Sequence, residues 1–245
     1  SGRLIEPAPV LEIPGRTYPV EIRYRPLGPT TPSSYTSEAS AQQADAAAIC
    51  GQIASVFSAP SPRPPARSVL VSELEAAASR GGRVFVHGVG REGLMMRALC
   101  MRLAHLGLPA HCVGDVTAPP AGGGDLLVAS AGPGAFSTVD AICGVARGAG
   151  SRVLLLTARL EGDFPRRQAD VVAHLPAQTM ADDEEGAGET ETETEAEGSP
   201  ARAKLPMGSL YEGAMFVLFE MVVLELARVL GQSPAQMRAR HTNLE

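Results

Sequence analysis

Three short stretches hold residue types whose spacing suits chemistry. The first is GVGREG, Gly88 to Gly93. Its glycines let a backbone approach a ligand, and a helix beginning there offers free N–H groups to an anion. The same pattern also fits a plain strand-to-helix turn. It is not a dinucleotide fingerprint, because no well-placed acid closes the second strand at a ribose, although Asp115 is near. The second stretch is ASAGPGAFSTVDAI, Ala129 to Ile142. Ser130, Gly132, Gly134, Ser137 and Thr138 place hydroxyls and turn N–H groups between a strand end and a helix start, which suits a phosphate. Helix capping would explain one of those hydroxyls. The third is LPMGSLYEGAMF, Leu205 to Phe216. Ser209-x-x-Glu212 reads as a capping box, or Glu212 reads as a proton-transfer base at the mouth of a cleft. Spacing alone does not choose between the two.

The five histidines add less. His87 ends a strand at the ligand edge. His105 shares a helix stripe with Arg91 and Arg102 that reads as a solvated or interface face. His111 and His174 sit in strands and read as structural, and His241 lies near the terminus. No His/Cys/Asp spacing suggests a metal site.

These stretches need elements to position them. Short segments that are apolar on both faces fall at 83–87, 110–114, 125–130, 152–158 and 170–176. Strands of that kind are buried on both sides, as in a parallel sheet. Helical patterns fall at 39–57, 68–79, 91–107, 137–149, 209–231 and 233–241. Strand and helix alternate through the middle of the chain. The expected class is therefore α/β: a doubly wound, five-stranded parallel sheet with helices on both faces and flavodoxin-like layering. Residues 1–37 are Pro-rich and read as a poorly ordered extension ahead of a domain at 38–245. Repeated Glu-Thr cannot bury apolar area, so an acidic disordered insertion is expected at 181–203.

Composition narrows the classes. With 44% hydrophobic residues the chain can build a core, but with 4% aromatics and no Trp it must pack on Ala, Val, Leu and Met. The net charge of −6 argues weakly against a nucleic-acid partner. Asp182 to Glu197 holds nine of the 27 acids, and without them the chain would carry +3, which suits an anionic small molecule. Cys50, Cys100, Cys112 and Cys143 form no CxxC pair and sit among apolar or small residues. Buried free thiols, a reducing compartment and hence a cytoplasmic location are expected, with no secretory signal seen at the N-terminus. Tyr211 to Gly231 alone is long enough to suggest a membrane span. Glu212, Glu220, Glu225 and Arg228 interrupt it, so a helix buried in a core or subunit interface is expected instead.

Four quoted stretches carry a resemblance. VHGVGREGLMMRALCMRLAHLGL, DLLVASAGPGAFSTV, LPMGSLYEGAMFVLFEMV and RHTNLE, in that order, are similar to the sugar isomerase (SIS) domain family, and within it to the 6-phospho-3-hexuloisomerases. The likeness runs from about Ala39 to Glu245. It implies a five-stranded parallel sheet, assembly as a homodimer or homotetramer, and active sites at subunit contacts. The implied reaction interconverts a 3-ketohexose 6-phosphate and fructose 6-phosphate through a cis-enediol, with no metal or organic cofactor. The resemblance puts Gly88, Gly90 and Arg91 at the first ligand turn and Ser130, Ser137 and Thr138 around the phosphate. It makes Glu212 the proton-transfer group and has His241 reach a neighbouring subunit's cleft.

Two departures bear on the substrate. Glu92 stands where the family commonly has Ser, and SAGPGAFST replaces the usual Ser-x-Ser-Gly phosphate loop. Two rival readings follow: a non-catalytic phosphosugar-binding regulator, or an arabinose 5-phosphate isomerase. APVLEIPGRTYPVEIRYRPL separately resembles a connecting stretch of DEAH-box RNA helicases. The chain has neither GxxxxGK[ST] nor DEAH to hydrolyse a nucleotide.

Overall fold

The computed structural model describes residues 32–161, 167–185 and 205–243. The chain divides into a unit at Ser1–Gln43 and a unit at Ala44–Glu245. Of the first, the described part is helical, since α1 runs Pro32–Val56. That helix starts seven residues ahead of the expected Ala39. Proline is tolerated at a helix start, where its missing N–H has no partner to lose. The helicase-like stretch lies outside the described residues.

In the second unit α2 (Ala66–Ser79) leads into β1 (Val84–His87), α3 (Gly90–His105), β2 (Ala110–Cys112), β3 (Leu126–Ser130), α4 (Ser137–Gly148), β4 (Arg152–Thr157) and β5 (Val171–His174). After α5 (Met180–Glu185), a single 3-10 turn at Pro206–Gly208 opens α6 (Ser209–Val229), and α7 (Pro234–Ala239) follows. The five strands pair in parallel in the order β2-β1-β3-β4-β5. This is the expected doubly wound sheet.

Side-chain alternation explains why both faces are covered. Val84, Val86, Leu126, Val128, Leu154 and Leu156 point into one core with residues of α2, α3 and α6, among them Leu70, Leu99 and Leu218. Phe85, Leu127, Ala129, Val153 and Leu155 point the other way, onto Val139 and Cys143 of α4. A period of two in a strand sends neighbours to opposite faces, so a strand apolar at every position is apolar on both. All five residues of β3 are buried.

Polar contacts pin the ends of the sheet. At the amino edge Asp125 accepts from the Arg83 N–H at 2.8 Å, from Arg83 Nη2 at 2.8 Å and from the Gly122 N–H at 2.9 Å. At the edge strand, Ser61 Oγ lies 2.8 Å from His174 Nδ1, which ties the α1–α2 connection to β5. His174 is thus structural. His111 packs its ring 5.5 Å from that of Phe85.

Two expectations change, at the acidic run and at Cys50. The start of the acidic run is helical in α5, because Asp182 pairs with Arg159 and caps the Thr179 N–H; residues 186–204 lie outside the described ones. The Arg91–Arg102–His105 stripe keeps solvent contact and also makes polar contacts: Arg91 stays 42% exposed while it meets Glu212, Arg102 meets Glu220 at 3.1 Å, and the His105 ring stacks on His241. Cys50 is exposed, not buried; Cys100 and Cys143 are buried. Among the described residues no helix is long and apolar enough to cross a membrane, and no three His, Cys, Asp or Glu side chains gather as metal ligands.

Candidate active site

In an open parallel sheet, helix N-termini and strand carboxyl ends meet where strand order reverses. Here the reversal lies between β1 and β3, which are neighbours in the sheet. A cavity of about 350 Å³ opens at this edge, walled by Gly90, Arg91, Glu92, Phe136, Tyr211 and Glu212, with Thr179, Met180, Met207 and Gly208 completing it. All three chemistry-bearing stretches contribute to its walls.

Glu212 reaches the cavity because of how α6 begins. Met207 (φ 58°) and Gly208 (φ 67°) are both left-handed. A Cβ at Gly208 would lie 2.1 Å from the Met180 nitrogen, so only glycine fits against α5's start. Met207 bears the strain of a non-glycine residue there, of order 1–3 kcal/mol, and its carbonyl accepts from Arg91 Nη2. The N-cap is therefore Gly208, and Ser209 is the first helical residue. The Ser209–Glu212 capping box, one of the two readings its spacing allowed, does not form. Glu212 instead turns toward α3, with Oε1 3.3 Å from Arg91 Nε and Oε2 buried with no hydrogen-bond partner among the described residues.

The turn after β1 is drawn tight. A Cβ on Gly93 would lie 2.7 Å from the Gly88 oxygen, which holds the start of α3 against the strand end. From this turn Glu92 points inward. Glu92 is 5% exposed. Its Oε2 accepts from Ser130 Oγ at 2.5 Å and from the Gly132 N–H at 3.1 Å, and its Oε1 lies 3.2 Å from the same N–H. Burial pushes the Glu92 carboxyl above its ordinary value, against the lowering effect of those hydrogen bonds. Tyr211 roofs this contact, its Oη 3.4 Å from Ser130 Oγ and its ring so near Gly132 that a Cβ there would meet it at 2.8 Å.

The other candidate residues fall into place around this centre. Gly90 (φ 56°) and Gly134 (φ 102°) are left-handed turn positions. Ser137 and Thr138 occupy the first two positions of α4 after the N-cap Phe136, and both are exposed. They stand at the same sheet edge but are not among the cavity walls. His87 ends β1 with Nε2 buried and unpartnered, and burial lowers its pKa. His241 is elsewhere in the chain: its ring stacks on His105, 5.3 Å away, at the far end of the 16-residue α3. At 1.5 Å per residue that helix separates it from the Arg91 turn by about 22 Å.

Sequence reasoning missed Tyr211, Thr179, Met180 and Met207 as walls, and missed the inward turn of Glu92. Tyr211 had a signal, since it directly precedes Glu212 on a helix that must bury one face. The Met207–Gly208 kink had none, because it depends on backbone some 28 residues earlier.

No family model matches the chain. The Bacillus subtilis 3-hexulose-6-phosphate isomerase is 31% identical over 66% of this chain and 80% of its own length. The Mycobacterium gastri 3-hexulose-6-phosphate isomerase is 35% identical over 67% of this chain and 74% of its own. Among solved structures, a Methanococcus jannaschii protein for which a 3-hexulose-6-phosphate isomerase function is inferred superposes with a TM-score of 0.63 at 22% identity, covering 82% of this chain and 99% of its own. A phosphoheptose isomerase from Neisseria gonorrhoeae superposes with a TM-score of 0.51 at 13% identity, over 79% of this chain and 99% of its own. The curated relatives make the chain a sugar-phosphate isomerase. Within that class, the chain belongs to the 3-hexulose-6-phosphate isomerase family.

Proposed function

We propose that the chain interconverts a 3-ketohexose 6-phosphate and fructose 6-phosphate at this cavity. One observation carries the reading: Glu212 lines the cavity, and its Oε2 is buried without a hydrogen-bond partner among the described residues. An unpaired carboxylate oxygen on a residue that lines a cavity suits the acceptor of a carbon-bound proton. Glu212 takes the proton from C2 of the 3-ketose, the C3 carbonyl becomes the oxyanion of a cis-enediolate, the O2 hydroxyl proton passes to O3, and the carbon-bound proton returns at C3 to leave a carbonyl at C2. Arg91 supplies positive charge beside the developing oxyanion. Ser137 and Thr138, with the free N–H groups at the start of α4, anchor the phosphate, and Gly88 and Gly90 let the backbone approach the sugar.

His241 acts in a second copy's cleft, since its own is an α3 length away. The surface supports association: Leu94 and Met101 on α3 and Phe216 and Leu224 on α6 are exposed by 51–61%. A homodimer or homotetramer fits these faces. The free thiols suit a cytoplasmic enzyme.

A second reading, a regulator that binds a phosphosugar without turning it over, is favoured by Glu92, which takes the Ser130 and Gly132 donors. An arabinose 5-phosphate isomerase is the third. NMR of the protein with 3-hexulose 6-phosphate, fructose 6-phosphate and arabinose 5-phosphate separates them. Conversion within the first pair supports the proposal, conversion of the pentose alone supports the third reading, and binding without conversion supports the regulator.

A further inference from the structure

Glu92 is buried with no ion pair among the salt bridges of the described residues, and neutral groups satisfy it: the Ser130 hydroxyl and the Gly132 N–H. A hydroxyl at a strand end and an N–H in the turn that follows are the donors with which such a turn holds an external anion. Here the chain's own anion holds them. There is no room for a second one. A Cβ at Gly132 would already meet Tyr211 at 2.8 Å and Glu92 Oε1 at 3.1 Å, and Tyr211 Oη closes over Ser130.

We propose that Glu92 is a tethered anion that closes the Ser130–Gly132 donor pair to phosphate, so that substrate specificity in this chain is set without those donors. This rests on the reading that a sugar phosphate occupies the cavity. A dianion entering the turn would have to displace a carboxylate that a helix holds in position, and would meet the like charge of Glu212 nearby. The phosphate is left to groups outside this pair, and the Glu92 side chain acts as a specificity-determining wall. It does not take part in proton transfer.

Inorganic phosphate is the probe, titrated calorimetrically against the full chain. Glu92→Ala should bind it at least about tenfold more tightly than the native protein, the range expected when donors to a charged group are set free. Glu92→Ala/Ser130→Ala should lose that gain. Ser130→Ala alone should leave the native phosphate affinity within about twofold, since Glu92 already occupies the Ser130 hydroxyl. Phosphate affinity unchanged in Glu92→Ala would overturn the proposal. So would a tenfold loss in Ser130→Ala alone, because phosphate would then already reach Ser130; that variant decides the matter if Glu92→Ala does not fold. None of these readouts needs turnover, so a chain that lacks isomerase activity would sink the functional reading and leave this one standing.

Discussion

Arg91 Nε stands 3.3 Å from Glu212 Oε1, while Glu212 Oε2 has no hydrogen-bond partner among the described residues. The same guanidinium donates to the Met207 carbonyl, at the left-handed residue that opens α6. One side chain thus orients the carboxylate and fastens the turn that carries it. Replacing it with methionine keeps much of the stem and removes both roles. Arg91→Met should lower kcat about 10- to 1,000-fold, in the range seen when a donor to developing charge is removed. KM should change less than kcat. A raised KM with kcat unchanged would mean that Arg91 serves binding alone.

Asp125 predicts a weakness toward acid. Burial alone would raise its carboxyl, but hydrogen bonds from Arg83 and the Gly122 N–H, with the Arg83 charge, hold it below the ordinary aspartate value. A group held low in the folded state stabilises the fold above its unfolded pKa. That contribution is lost as pH falls from the ordinary value through the lowered one. Asp125→Asn should therefore cost about 1–3 kcal/mol at neutral pH and progressively less in acid. Urea melts of both proteins from pH 7 to pH 3 check this, and a difference independent of pH would contradict it.

Glu92 predicts the opposite slope. Burial sets its carboxyl high, and the Glu212 charge adds to the rise despite the Ser130 and Gly132 hydrogen bonds. As pH climbs from the ordinary glutamate value to the raised folded one, the unfolded chain gives up its proton first, and the fold loses stability. Glu92→Gln has no proton to lose and keeps the shape of the acceptor. Its urea midpoint relative to the native protein should rise between pH 4 and pH 8. A constant offset would mean that the carboxyl is not perturbed by its burial.

The strands were legible because their burial is symmetric. Val84, Phe85 and Val86 are apolar whichever way they point, and residues buried on both faces read as an unbroken run. The cavity was legible as a convergence of three turns, since strand ends and helix starts meet by topology. Side-chain direction at the rim was not. Ser209 and Glu212 have the spacing of a capping box, but the chain reaches Ser209 through Met207 and Gly208 in left-handed conformations imposed by Thr179 and Met180. That imposition is tertiary. Glu92 turns inward because Ser130 and Gly132, 38 and 40 residues on, offer it donors. The role of Asp182 was hidden in the same way, since its acid-rich neighbours read as solvated and only the fold brings Arg159 beside it.

Glu212 as the group that moves a proton between adjacent sugar carbons is the claim on which the rest depends. Incubating fructose 6-phosphate with the protein in heavy water and following the loss of the C3 proton signal by NMR tests it most directly. The native protein should exchange that proton with solvent, and Glu212→Gln should do so about 100- to 10,000-fold more slowly while binding the sugar phosphate with similar affinity. Exchange at the native rate in Glu212→Gln would contradict the account.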